Sequence, residues 1–274
     1  MTTAIRMKNW RSFLRSLKLE AGGHSKPEQG MCLLEAIAYI QDQPFSDHPQ
    51  CVSPVIGAFG RSWNDSLDDA GRQRLKAFIP DMIGTATTSA DETTRAWLAT
   101  DWLVRTFTPA WLDKAGLTEH AAKLRGLDAL TSTALARQAQ PIIEEAKKAS
   151  YAAGDAAGAA AGAAARAAAW AAAGAAAGDA AWAAAWAAAG AAAGAAAGDA
   201  AGAAAGDAAW AAAWDAAGAA ARAAASKKKG YNAQYYAAYE AAKPLMDIAV
   251  AATVKELNAS AEDLLRRMCA VGRP

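Results

Sequence analysis

Histidine and cysteine are scarce in this chain, three of each in 274 residues, and the scarcity removes several function classes at the outset. Cys32, Cys51 and Cys269 are odd in number and widely scattered, so they cannot build a disulfide framework. An excess of one charge is lacking too. The 28 basic residues face 27 acidic ones, which gives no overall pull toward nucleic acid or an anionic membrane. No alternating run of Val, Ile, Thr or aromatic residues is long enough for a sheet. Phosphate loops, dinucleotide fingerprints, G-x-S-x-G elbows and H-E-x-x-H helices are all missing. The first segment has no apolar signal core, because Arg6, Lys8, Arg11, Arg15 and Lys18 interrupt it; a reducing, cytoplasmic location is the expectation.

Long hydrophobic runs are also wanting. The 19-residue window 180–198 carries no charge, but it is almost entirely Ala and Gly, with Trp182 and Trp186 near one end. Asp179 and Asp199 close it on both sides, and the strongly inserting residues Leu, Ile, Val and Phe are absent. No membrane span is expected.

What the chain does have is alanine. Residues 151–226 hold 51 Ala in 76 positions, with 11 Gly, five Trp and five Asp. From 154 to 226 every fourth position is Gly, Trp, Arg or Ser, and each Asp falls one position later. Alanine is the best helix former, whereas each interior Gly costs about 1 kcal/mol relative to it, so helix is the expected state. One uninterrupted helix would extend ~114 Å, and the marked row would drift by ~40° per tetrad. Small residues four apart let backbones approach closely. Trp170, Trp182, Trp186, Trp210 and Trp214 can each bury on the order of 200 Å² and fix a register. These five are the expected helix-packing or partner-binding residues. The tract is expected to fold back as a tight hairpin, near 190–206, or to supercoil with a second copy; a passive spacer is the plainer alternative.

The rest divides into 1–26, a basic amphipathic helix and hinge; 27–150, a helical globular domain; and 227–274, closing helices. Helical spacing over 5–19 brings Trp10, Phe13, Leu14 and Leu17 together, which fits either a docking segment or a terminal helix covering the first domain. Ser66, Asp68 and Asp69 predict a helix cap. Pro80 is expected to interrupt the next helix. Residues 90–107 predict a largely buried central helix, with Asp101 and Arg105 paired on its remaining strip. Pro27 and Pro244 are each expected to open a helix. The expected class is all-α: a small helical amino-terminal domain, tightly packed tetrad-repeat helices, and carboxyl-terminal helices.

Candidate chemistry concentrates at Asp47-His48-Pro-Gln-Cys51, with Cys32 upstream and Asn64-Asp65 downstream. Such residues suit a zinc site or a Cys–His nucleophile, yet the spacing matches no established motif; a buried cysteine beside a loop histidine is the plainer reading. His24 and His120 look isolated. Nucleic-acid contact draws some support from Arg166, Arg222, Lys227–Lys229 and the basic first helix, but the repeat itself sums to −3.

The block MCLLEAIAYI…PFSDHPQCVSPVIGAFGRSWND, followed by RAWLATDWLVRTFTPAWLDKAGL, resembles a group of phage- and prophage-type proteins of unknown function, in which a small helical domain precedes an Ala-rich, Trp-punctuated tail. The resemblance covers about residues 31–130 and, by composition, the repeat. It implies a mobile-element context, where small non-enzymatic proteins act by binding host machinery. The expectation is therefore a cytoplasmic binding protein with no cofactor, whose partner is a protein, host defence machinery being the most specific version, and which can self-associate through the repeat. The alternatives are a metal-dependent or cysteine hydrolase centred on Cys51 and His48, and a structural or nucleic-acid-associated helix.

Overall fold

The computed structural model describes residues 5–114, 116–153 and 231–273, and among these the chain is all-α, with one isolated parallel bridge between Leu19 and Met31. The tetrad repeat lies outside the described residues, and its expected hairpin or supercoil with it.

The first helix is shorter than its apolar spacing predicts. α1 spans Trp10–Ser16 and ends where Leu17 turns extended, at ψ 134°. Its inward side chains are those the spacing selects: Leu14 is buried, and Trp10, Phe13 and Leu17 pack against the core. Pro27 opens only a 3-10 turn, Pro27–Gln29, and α2 (Leu33–Ile40) follows. Every residue of α2 except Tyr39 is buried, so it forms the centre of the molecule.

α3 (Pro54–Ser66) starts where Ser53 accepts a hydrogen bond from the Ile56 N–H at 3.3 Å; Pro54, lacking an N–H, suits the first helical position. A Cβ on Gly60 would stand 3.2 Å from Leu34 Cδ2 and 3.3 Å from Met82 Cε, so the missing side chain sets how closely α2 and α3 cross. The predicted cap is present: the Asp68 carboxylate accepts from Gly71 N at 2.6 Å and begins α4 (Asp69–Arg74). A 3-10 turn, Leu75–Phe78, then leads into α5 (Ile79–Met82). Pro80 stands in the first turn of α5 instead of interrupting a helix, since that position needs no donor.

The central helix divides in two. α6 (Ser89–Trp102) begins with a Thr88–Asp91 capping box, and a π turn, Leu103–Phe107, joins it to α7 (Thr108–Lys114). Pro109 accounts for the widening. It has no N–H to give the Arg105 carbonyl and its ring would strike that oxygen, so the chain bonds Thr108 N to Leu103 O, five residues back. Asp101 and Arg105 pair at 3.1 Å, as their spacing predicts. α8 (Thr118–Arg125), α9 (Thr133–Ala153) and α10 (Tyr231–Ala270) complete the described chain. α10 is one continuous helix of 40 residues, about 60 Å long, and Pro244 lies inside it instead of opening it.

Two hydrophobic clusters result. The first gathers Leu14, Leu19, most of α2, Val55, Ile56, Phe59 and Trp63 of α3, Phe78, Trp102, Phe107 and Trp111, and it is completed by Leu257, Leu264, Leu265 and Met268 of α10. The second holds Val104, Leu112, Leu124, Leu130 and Ile143, under α8 and α9. The first core thus draws on both ends of the described chain. Among the described residues no helix is long and apolar enough to cross a membrane.

Candidate functional site

The tryptophans expected to carry packing or partner contacts, Trp170, Trp182, Trp186, Trp210 and Trp214, all lie outside the described residues. The loop cluster can be placed, and it does not converge. His48 is exposed and faces Asp47, with Nε2 3.4 Å from Oδ1. The Asp47 carbonyl accepts from Arg61 Nη1 at 2.8 Å. Cys51 is half-buried; burial pushes its thiol upward, against hydrogen bonds that include one from Gln43. No hydrogen bond joins it to His48. A thiol held up in this way is a poor nucleophile. Among the described residues no three His, Cys, Asp or Glu side chains stand together as metal ligands.

The polar residues that do converge meet at the amino end of α2. Cys32 is its N-cap and Glu35 its third residue; the two form a capping box in which the Glu35 carboxylate accepts from Cys32 N at 2.8 Å. Glu35 also accepts from His24 N at 2.6 Å and pairs with His24 Nδ1 at 2.8 Å. The other ring nitrogen of His24 lies 3.7 Å from Glu20 Oε2. Gly30, at φ 120°, makes the approach possible, because a Cβ there would meet Glu20 Oε2 at 2.8 Å and His24 Nε2 at 2.9 Å. Asn64 closes the cluster from α3: its Oδ1 accepts from Leu33 N, and its Nδ2 donates to the Glu20 carbonyl at 2.9 Å.

The electrostatics of this cluster favour structure over reactivity. Burial alone would raise the Glu35 carboxyl, but hydrogen bonds from His24 and Cys32 outweigh it and hold the group below its ordinary value of 4.5. Burial also pushes the Cys32 thiol up to about 12, so it is no thiolate at neutral pH. Each acceptor of Glu35 is engaged in tying the 20–31 loop to α2. His24 looked isolated in sequence because its partner sits eleven residues on; the C-x-x-E spacing of a capping box was the available signal.

A second polar seam ties the carboxyl terminus to the body. Arg95 on α6 is fully buried, and its guanidinium reaches the carboxyl end of α10: Nε donates to Met268 O at 3.1 Å and Nη2 to Val271 O at 2.8 Å. Nη1 donates to Glu92 Oε1 at 2.6 Å and to Thr87 Oγ1 at 3.1 Å. The second Glu92 oxygen accepts from Ser53 Oγ, so the seam continues to the start of α3. A cation against the last carbonyls of a helix also complements its dipole.

Further toward the amino end of α10, Phe59, Trp63, Trp102, Phe107 and Trp111 wall a crevice of about 80 Å³ against Val254, Leu257, Asn258 and Ala261. Two of the indoles are tethered to that helix. Trp63 Nε1 donates to Asn258 Oδ1 and Trp102 Nε1 to Ser260 Oγ, both at 3.0 Å. Trp111 Nε1 is buried without a partner. The volume amounts to two or three waters, so the crevice reads as imperfect packing between aromatic rings. No protein-family model, no curated protein and no solved structure matches this chain, and the functional reading rests on its own side chains.

Proposed function

We propose that this chain is a non-enzymatic binding protein acting through protein–protein contacts, with its helical body serving as a mount for the tetrad segment. The observation that carries the reading is that both helices bordering 154–230 are rooted in the body. α9 is held through Ala136, Ala139, Ile143 and Ala146, and α10 through Leu257, Leu264, Leu265 and Met268 with the Arg95 clamp at its end. The buried ionisable groups Glu35, Glu92 and Arg95 are spent on joining elements, and burial raises all three thiols. A body so built favours holding over chemistry. The phage- and prophage-type resemblance supplies a setting in which the partner is host machinery, a defence complex being the most specific form, and three free cysteines suit a reducing cytoplasm.

The test replaces Trp182, Trp186, Trp210 and Trp214 by Ala in the full chain. Assembly mass by light scattering and protein capture from host lysate are then compared with the parent. Loss of assembly or of the captured partner, with an unchanged melting temperature of the body, supports the proposal. Retention of both defeats it.

A further inference from the structure

Many cations of the body stand beside carboxylates, and the first basic stretch does not. Arg61, Arg72, Arg95, Arg105 and Arg125 each stand within salt-bridge distance of a carboxylate, and Lys18 pairs with Asp69 at 3.0 Å. Arg6, Lys8, Arg11 and Arg15 are exposed, and among the described residues none has a carboxylate partner. Residues 5–19 contain no acidic side chain at all. Four uncompensated cations on and just before one short helix make a local positive field, despite the chain's near-zero net charge.

Aromatic rings lie in the same place. Tyr39 is a large apolar side chain left 40% exposed. Its ring stacks on Phe13 of α1, with centroids 5.2 Å apart and planes 29° apart. Arg11 lies over the Trp10 ring, 4.4 Å from its centroid. An otherwise buried helix, α2, therefore delivers a single aromatic face to the flank of the basic helix.

We propose that Arg6, Lys8, Arg11, Arg15 and Tyr39 form a binding site for single-stranded nucleic acid. The cations neutralise phosphates, and the open face of Tyr39 stacks on a base; this is the combination by which single strands are held without sequence readout. A membrane surface fits less well. Leu14 is buried and Trp10, Phe13 and Leu17 pack on the core, which leaves α1 no apolar stripe to insert. An acidic peptide would use the cations but gain nothing from the ring.

Fluorescence anisotropy of a labelled oligo(dT) of about 12 nucleotides with the full chain is the test. Four phosphate contacts predict a slope near −3 in log K against log salt. Tyr39→Ala should weaken binding by about five- to hundredfold, Tyr39→Phe should retain it, and Arg11→Glu with Arg15→Glu should abolish it. The exposed arginine variants are expected to keep the parent's melting temperature; Tyr39→Ala also loses the stack on Phe13, so its binding is compared with that of Phe13→Ala, which loses the same stack but keeps the Tyr39 ring. Absence of binding at low salt, indifference to Tyr39→Ala, or equally tight binding to phosphatidylserine vesicles would overturn the assignment.

Discussion

Arg95 concentrates at one side chain the problem of closing a chain whose two described ends share a core. Its donors reach two carbonyls at the end of α10, a carboxylate on its own helix and a threonine hydroxyl. Removing a partner from a buried ion pair leaves the other charge stranded, which costs about 3–5 kcal/mol. Arg95→Met should accordingly lower the unfolding free energy by that order, read as an earlier midpoint in a urea titration. Arg95→Met with Glu92→Met should recover part of the loss, because no charge is then left unpaired. An unchanged midpoint in the single variant would show the clamp to be dispensable. Glu35 gives the acid-side counterpart. Its folded value lies below 4.5, so the folded chain binds fewer protons there than the unfolded one. The stability it supplies is complete above about pH 4.5 and is lost as pH falls through the folded value. Glu35→Gln should flatten that acid limb in a urea titration while lowering stability at pH 7; a limb of unaltered slope would exclude this carboxyl as its source.

Two glycines in Gly57-Ala-Phe-Gly60 separate packing from propensity on one element. On Gly60 a Cβ would press on Leu33, Leu34 and Met82, whereas on Gly57 it would meet only the far end of Arg61, at 3.5 Å. Gly60→Val should cost about 1–3 kcal/mol through overpacking of the α2–α3 crossing. Gly57→Ala should stabilise α3 by up to about 1 kcal/mol, the helix propensity of alanine over glycine. Thermal melts of the two variants decide it; a Gly60→Val chain as stable as its parent would remove the close crossing as a constraint. Much of this local architecture was legible in sequence. The Asp68 cap and the Asp101–Arg105 pair follow from spacing alone, because each is decided within a few residues. The π turn was not legible as such, since Pro109 announces a disturbance but not whether the chain breaks or widens. Pro80 and Pro244 were misjudged for a related reason: a proline's effect depends on which carbonyl needs a donor, and only the folded path settles that.

At the scale of the whole molecule, contacts between sequence-distant segments decide the outcome, and these were the least legible. Nothing local in Val254, Leu257 or Ala261 says that they line the aromatic crevice opposite Trp63 and Trp102, with Asn258 and Ser260 receiving the indole N–H groups. The same distance in sequence hid the polar clusters: His24 meets Glu35, and Arg95 meets Met268, through folding alone. The stretch 27–150 reads as a domain able to bury its own core, yet the first cluster is completed by residues 257–269. A chain ending at residue 250 would expose the Phe59, Trp63 and Trp102 side of that cluster and leave Arg95 buried without its two carbonyl acceptors. Each large apolar side chain removed from α10 forfeits about 1.5–3 kcal/mol of burial, and four such losses exceed the roughly 5–15 kcal/mol that holds a domain at the lower end of that range. The truncated protein should therefore keep helical far-UV dichroism but lose the near-UV signal of packed tryptophans and its cooperative urea transition. Adding residues 251–274 back as a peptide should restore both in proportion to its concentration, as linkage to binding requires. If the truncated chain instead unfolds cooperatively at the parent's midpoint, the closing helix is an appendage and the body folds without it.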